Sequence, residues 1–258
     1  MITINDFQIW LLVLFRFTGL MAVAPVFGSQ SAPLQFKAGL SLVMSFLLFP
    51  FVPKTGTVLA PTLGAYLPAV GLELLTGILI GFAASMFFAG VQFAGQIVDQ
   101  EMGISLANVI DPITNEQVSI VNQFQFFLAT LVFLGINGHH FLLQALVESY
   151  EVVPLMGLRY TDRVALALAD DMARHLFVVT IKLAAPVLVS TMLVTIGMAL
   201  LARTVPEMNV FVLGFSLRIV IAGAVLLISL PLFAGMVGRM SGNMLDNVHV
   251  LIQLMGGR

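Results

Sequence analysis

Residues 67–98, LPAVGLELLTGILIGFAASMFFAGVQFAGQIV, decide the fold, because they form a long apolar stretch with one charged residue, Glu73. A helix needs about 20 apolar residues to cross the hydrocarbon core of a bilayer, and this stretch is longer. Isolated strands cannot satisfy their backbone groups in lipid, and no alternating barrel pattern is present. The stretch therefore predicts a membrane-spanning helix that tilts strongly or stands partly outside the hydrocarbon.

The composition of the whole chain excludes several other classes of protein. Of its 258 residues, 59% are hydrophobic and 9% are charged, and the mean hydropathy is +1.05. A soluble domain of this length carries about 65 charged residues, whereas this chain has 11 basic and 13 acidic ones. A disordered chain needs the opposite composition. A net charge of −2 gives no basic surface for nucleic acid, and the absence of cysteine excludes disulfides and thiolate metal sites.

Six stretches are apolar enough to be membrane helices, so we expect an all-α polytopic membrane protein with about six hydrophobic helices and long hairpins. The second stretch is short and is closed by Pro50 and Pro53. Basic residues favour placing both chain ends in the cytoplasm, with six on that side and two on the other. The predicted spans are residues 9–26, 38–52, 67–98, 120–147, 176–202 and 210–237.

Two polar connections interrupt these spans. Residues 99–119 contain four acidic residues and no Lys or Arg. Residues 148–175 contain Thr161-Asp162-Arg163, a pattern typical of a helix start, and Asp170 lies four residues before Arg174. This second connection is either a short amphipathic helix at the membrane interface or a solvated connector.

Ionisable residues inside the spans are informative, because each costs about 2.5 to 3.5 kcal/mol at a helix centre unless it is paired or faces a cavity. Arg16, Glu73, Lys182 and Arg218 are such residues. Pairing of Glu73 with one of the three cations is expected, but the sequence does not choose which, and snorkelling would explain Lys182 equally well. The open interpretations are a structural ion pair, a contact to another subunit, or an ion pathway.

One row of small side chains follows Glu73 at intervals of four residues, namely Gly77, Gly81, Ser85 and Ala89. Small residues let a neighbouring backbone approach closely, which is how helices associate in lipid. We predict that this row packs against a helix, either of the same chain or of another subunit.

A second polar pattern lies in the fourth span, where Asn137, His140, Gln144 and Glu148 share one helical face beside His139. Two histidine ligands of one zinc ion on a helix are normally four residues apart, whereas these two are adjacent. We therefore expect a polar face between helices, with no metal and no cofactor.

Signatures of enzymes are missing from the sequence. It has no phosphate-binding lysine loop, no dinucleotide-binding glycine pattern and no His-Glu-x-x-His. Ser105 and Ser216 lie in short Gly-x-Ser strings, but each lacks the second glycine of a nucleophile turn and an obvious histidine partner. The sequence predicts a protein that is not an enzyme.

Several strings taken together, in their order and spacing, closely resemble the FliR family, the export-gate membrane proteins of flagellar type III secretion. The injectisome counterparts of the SctT type share much of the pattern, and we assign the flagellar branch. The strings are AGQI at 94–97, QEMGISLA at 100–107, DP at 111–112, NGH at 137–139 and PEMNVF at 206–211.

The resemblance implies a core subunit of a helical, closed pore, built with FliP and FliQ and associated with FlhB and FlhA. It places the chain in the bacterial inner membrane at the flagellar basal body, in contact with lipid and with unfolded flagellar proteins in transit. It divides the chain into a FliP-like half (1–148), a connector (149–175), a FliQ-like hairpin (176–239) and a C-terminal tail (240–258).

The resemblance also implies that the connection 103–119 enters the pore as a plug. Glycine and Asp-Pro allow an irregular backbone, which is tolerated at membrane depth where it lines a cavity. A surface hairpin without a gating role is the alternative for this connection. For the whole chain the alternative is a stand-alone secondary transporter with an ion relay through Arg16, Glu73 and Lys182. The predicted plug residues are Met102, Gly103, Ile104, Ser105, Leu106, Asp111, Pro112, Asn115 and Glu116.

Overall fold

The computed structural model describes residues 4–25, 27–28, 33–53, 63–103, 119–158, 162–205, 207 and 209–257, and every regular element in these ranges is helical. A 3₁₀ turn, Phe49–Phe51, follows the second α-helix, and a π-helical turn, Ala167–Asp171, follows the sixth. The α-helices are α1 (Ile4–Val23), α2 (Leu34–Leu48), α3 (Leu63–Met102), α4 (Ile120–Gly135), α5 (Gly138–Val152), α6 (Asp162–Leu166), α7 (Met172–Thr204) and α8 (Val210–Met255).

The expected class, an all-α polytopic membrane protein, is confirmed. Five helical stretches of the described chain are long and apolar enough to cross a membrane, and the pair α4 and α5 makes six if it is one span. Helix α3 has 40 residues and α8 has 46. At 1.5 Å per residue they are about 60 and 70 Å long, roughly twice the hydrocarbon thickness. The prediction that the third helix is longer than a bilayer needs is therefore correct.

The predicted fourth span is not one continuous helix. Helix α4 ends at Gly135 and α5 begins at Gly138, with Asn137 between them at a φ of 60°. This left-handed conformation is accessible to asparagine more readily than to most other residues. Its carbonyl accepts the N–H of His140, which starts the first turn of α5.

The last helix continues 18 residues beyond the predicted end at Val237, to Met255. Its final part buries Met244, Val248, Leu251 and Met255, whose spacing is that of one helical face. Helix α6 begins at Asp162, in agreement with the predicted helix start. The expected Asp170 and Arg174 pair forms on the surface, with Oδ2 and Nη2 3.5 Å apart.

Two compact units divide the chain. The first comprises Met1–Phe87, Asn137–Arg174 and Ser241–Arg258, and the second comprises Phe88–Ile136 and His175–Met240. The first unit buries Leu12, Leu146 and Leu251 completely. In the second unit, Phe88 packs edge-to-face on Phe133, with ring centroids 5.4 Å apart.

Helix α2 shows how the membrane acts as solvent for this protein. Its two serines, Ser41 and Ser45, are buried, whereas Phe36 and Phe46 are 61% and 67% exposed. The serine hydroxyls donate to carbonyls of their own helix, Lys37 and Leu42. An exposed face of this kind suits lipid, because the hydrocarbon offers apolar contacts and no hydrogen bonds.

Candidate functional site

A fully buried ion pair lies at the centre of the first unit. Arg16 is in α1 and Glu73 is in α3, and Arg16 Nε donates to Glu73 Oε2 at 2.6 Å. Their side chains are 0% and 1% exposed. Of the three cations that the sequence left open, Arg16 is therefore the partner of Glu73.

The remaining nitrogens of Arg16 are bonded to the end of α5. Nη1 donates to the carbonyl and hydroxyl oxygens of Ser149 and to the carbonyl of Val153, each at 3.1 Å, and Nη2 also donates to Val153. The guanidinium carbon lies 4.3 Å from the ring centroid of Tyr150. A cation at a helix C-terminus is stabilised by the helix dipole and satisfies carbonyls that have no partner within the helix. Arg16 thus links α1 to α5.

Glu73 extends the same site to the segment after α5. Its second oxygen, Oε1, accepts the backbone N–H of Met156 at 2.7 Å. Met156 has a φ of 64°, a conformation that costs a non-glycine residue about 1 to 3 kcal/mol and persists only where the surrounding structure imposes it. The sequence indicated Arg16 and Glu73 but gave no signal for Tyr150 or Met156, because their roles depend on tertiary contacts.

The row of small residues packs against α1 of the same chain at its first two positions. A Cβ at Gly77 would overlap the carbonyl oxygen of Arg16, and one at Gly81 would lie 2.9 Å from the carbonyl oxygen of Leu20. Gly19 on α1 faces the backbone of Leu74 in return. At these positions the geometry supports packing within the chain. Ser85 and Ala89 are half-buried, and the role predicted for them stays a prediction.

The predicted polar face is divided between different partners. Gln144 Nε2 donates to Glu148 Oε1 at 3.0 Å, and Glu148 Oε2 contacts His249 Nε2 on α8. Residue Asn137 starts α5, and the rings of His139 and His140 lie 4.3 Å apart. Within the described ranges His139 Nδ1 is buried without a hydrogen-bond partner. No three potential metal ligands gather in the described part of the chain.

Of the predicted plug residues, the structure describes only Met102 and Gly103, at the end of α3. Gly103 has a φ of 77° and donates its N–H to the carbonyl of Gln100, and Met102 is buried. A left-handed glycine after the last helical turn is a common helix terminator. Outside the described residues lie Ile104, Ser105, Leu106, Asp111, Pro112, Asn115 and Glu116.

Asp99 links the end of α3 to the start of α4, the two helices on either side of the connection 103–119. It lies in the last turns of α3, is 4% exposed, and accepts the N–H groups of Val121 and Asn122 and the hydroxyl of Ser119. Gly95, one turn earlier, lets the backbone of α4 approach, since a Cβ there would overlap Asn122. An acidic residue is unfavourable near the end of its own helix and favourable at the start of the next. An acidic residue at the end of a helix was therefore the sequence signal for this contact, whereas Asp99 was counted only among the four acidic residues of the connection 99–119.

The other two predicted intramembrane charges lie in the second unit. Arg218 is half-buried on α8, and its Nη2 donates to Thr195 Oγ1 on α7 at 3.0 Å. Lys182 is exposed on α7. The two carboxylate oxygens of Glu73 are occupied by Arg16 and Met156.

This fold defines a class of protein, a helical membrane protein in which a fully buried ion pair cross-links helices of the same chain. The chain belongs to family 1 of the bacterial export proteins, whose family model matches residues 7–244. It is 30% identical over 262 residues to the flagellar biosynthetic protein FliR of Bacillus subtilis, with 98% of each chain covered. It is 28% identical to that of Escherichia coli (86% and 84% covered) and 27% identical to that of Aquifex aeolicus (90% and 89% covered). The predicted membership of the FliR family is thus confirmed.

Proposed function

We propose that this chain is a non-enzymatic core subunit of the flagellar type III export gate, in the bacterial inner membrane at the basal body. The observation that carries the proposal is the similarity to FliR over 98% of both chains, joined to five or six potential membrane helices. The relatives described above are flagellar, which favours the flagellar branch over the injectisome branch.

The partners in this proposal are FliP and FliQ, which complete the pore, together with FlhB and FlhA. Exposed apolar side chains on the long helices support it, because they suit either lipid or the helices of neighbouring subunits. Leu193 and Leu200 on α7 and Leu227 and Ile228 on α8 are each at least 64% exposed. Unfolded flagellar proteins are the cargo that passes through the pore.

In the proposed mechanism, residues 103–119 plug the pore at rest and move aside when a substrate chain enters. Support comes from the flanks of this connection, where Asp99 binds the first turn of α4. A plug can close a lumen reproducibly only if its two ends are held at a fixed separation. Methionine suits the closing surface because it is flexible and apolar.

A stand-alone transporter with a relay through Arg16, Glu73 and Lys182 fits the geometry poorly. Arg16 and Glu73 are inaccessible to solvent and bonded to each other, and their remaining atoms bond Ser149, Val153 and Met156. Movement of a proton or ion through this pair would require breaking several buried hydrogen bonds at once. Catalysis by Ser216 has no support either, because its hydroxyl donates to Val212 of its own helix.

The plug is tested by replacing residues 104–118 with a Gly-Ser linker of equal length, which keeps Asp99 and Ser119. The variant is co-expressed with the gate proteins of the same genome, and the conductance of the membrane to small solutes is measured. We expect a leak, and a Gly-Ser replacement of the seven residues 54–60, in a different connection, serves as the control. A fully assembled variant complex with unchanged conductance would remove the plug proposal.

Membership of the gate is tested by capturing the tagged chain in mild detergent. We expect FliP and FliQ to be recovered with it. Recovery of the chain alone, together with binding or transport of a small solute by the purified chain, would contradict the gate and favour the transporter. If Ser105→Ala and Ser216→Ala both abolish flagellar export, the result would contradict a non-enzymatic role.

A further inference from the structure

Among the described residues, the cations on the two long helices of the second unit form no ion pair with an acidic residue. Residues 175–240 include Lys182, Arg203, Arg218 and Arg239 but only one acidic residue, Glu207. In the parts of the chain that the structure describes, Lys182 forms no ion pair and no hydrogen bond, and its side chain is exposed. An exposed cation in a membrane helix is stabilised by a counter-charge, by a water-filled cavity or by reaching the interface.

Lys182 is far from both ends of its helix. It lies ten residues after Met172 and 22 residues before Thr204, which corresponds to about 15 and 33 Å along the axis. Its exposed neighbours are apolar, among them Phe177 and Ile181, which are 63% and 59% exposed. The charge therefore stands in an apolar surface, about 15 Å from the nearer end of its helix.

The backbone carbonyl of Lys182 also lacks its usual partner within the helix. This carbonyl would normally accept the N–H of residue 186, but that residue is proline, which has no N–H. The same place is a shallow notch between α7 and α8, lined by Lys182, Pro186, Ser229 and Phe233. The Ser229 hydroxyl donates to Leu226 of its own helix, so it does not serve Lys182. The notch is thus lined by a lysine whose ammonium has no acidic partner in the described chain and whose carbonyl has lost its usual donor.

We propose that this notch is the docking site of a transmembrane helix of a partner protein that carries an Asp or Glu carboxylate within its span. The carboxylate accepts from Lys182 Nζ, and a neighbouring polar side chain of that helix donates to the Lys182 carbonyl. A lipid phosphate can also accept a hydrogen bond from the Lys182 ammonium, but it has no donor for the Lys182 carbonyl. The proposal rests on the proposed function, because the partner is another subunit of the gate.

Charge reversal at Lys182 tests this docking site. The full chain carrying Lys182→Glu, Lys182→Met or Lys182→Arg is expressed with the gate proteins, and the partners recovered in mild detergent are quantified per chain in the membrane. We expect Lys182→Glu to lower recovery of one partner by about tenfold or more, and Lys182→Arg to change it little. The control is Arg203→Glu, an exposed cation in the last turn of α7.

A compensating substitution identifies the partner. Each Asp or Glu in the partner spans is changed to Lys in the Lys182→Glu background, and one of these changes should restore recovery. Wild-type recovery with Lys182→Glu would overturn the proposal and assign Lys182 to lipid headgroups, as would loss that no carboxylate reversal restores. If the Lys182→Glu protein does not accumulate in the membrane, the partner recovery measured with Lys182→Met distinguishes the same outcomes. Recovery of no gate protein by the unmodified chain would instead contradict the proposed function.

Discussion

Arg16 Nε and Glu73 Oε2 are 2.6 Å apart at a point where neither side chain is accessible to solvent. The two residues are 57 positions apart in sequence, and together they join α1, α3, the end of α5 and the segment that contains Met156. In this environment a charge without its partner is very costly, whereas the pair itself contributes little net stability. We therefore expect the pair to determine how these helices of the first unit are arranged.

Glu73→Gln should destabilise the protein by about 3 to 5 kcal/mol, because it leaves the Arg16 charge buried without a counter-charge. The double variant Arg16→Met, Glu73→Leu should be less damaging than either single variant, since it removes both charges. Thermal unfolding in detergent measures both effects.

Asp170→Asn is the control for this experiment. It removes a carboxylate from an ion pair whose side chains are 68% and 71% exposed, so it should change stability by less than about 0.5 kcal/mol. Equal melting temperatures for Glu73→Gln and Asp170→Asn would contradict the structural role of the buried pair.

The close approach of α1 and α3 can be tested at Gly77. In Gly77→Ala the new methyl group would overlap the backbone carbonyl of Arg16, so α1 must move, at a cost of about 1 to 3 kcal/mol. Gly71 offers a matched control on the same helix, because nothing lies within 4 Å of a Cβ placed there. Gly71→Ala should be neutral or stabilise by up to about 1 kcal/mol. A Gly77→Ala protein as stable as Gly71→Ala would exclude tight packing at this position.

Asp99 should hold the start of α4. In Asp99→Ala the N–H groups of Val121 and Asn122 lose their acceptor, so their hydrogen exchange should become faster, and stability should fall by about 0.5 to 2 kcal/mol. Asp99→Asn keeps an acceptor oxygen without the charge, so its stability should lie between that of the wild-type protein and that of Asp99→Ala. Gln96→Ala, an exposed position one turn earlier, is the control. Unchanged exchange of residues 119–125 in Asp99→Ala would show that the carboxylate does not cap α4.

Part of this fold was predictable from sequence because the bilayer imposes a simple requirement. Continuous apolar stretches predicted α3 and α7 closely, and the length of α3 was recognised as excessive. The break at Asn137 was missed because one residue with a left-handed backbone interrupts an otherwise uniform apolar pattern. The end of α8 was missed because polar residues from Arg239 to His249 lower the hydropathy of a segment that is still one helix.

The sequence indicated which charged residues belong to the site, but it did not indicate how they pair. The costs of intramembrane charge indicated Arg16, Glu73, Lys182 and Arg218, but the choice of partner for Glu73 is a tertiary contact between distant segments. The same limit applies to Glu148, which was placed on a polar face, whereas its partner His249 lay in a segment taken as a tail. A sequence pattern shows which residues share a face of one helix, and packing decides what that face meets.

The last turns of α8 should be held by apolar contacts more than by the Glu148 and His249 pair. Leu251 is completely buried, so Leu251→Ala should cost about 2 to 5 kcal/mol and expose residues 241–257 to protease. The side chains of His249 and Glu148 are 49% and 37% exposed, so His249→Ala should cost no more than about 1 kcal/mol. Asp246→Ala, an exposed change on the same segment, is the control. A larger loss of stability from His249→Ala than from Leu251→Ala would reverse this order and make the polar contact the main attachment of α8 to α5.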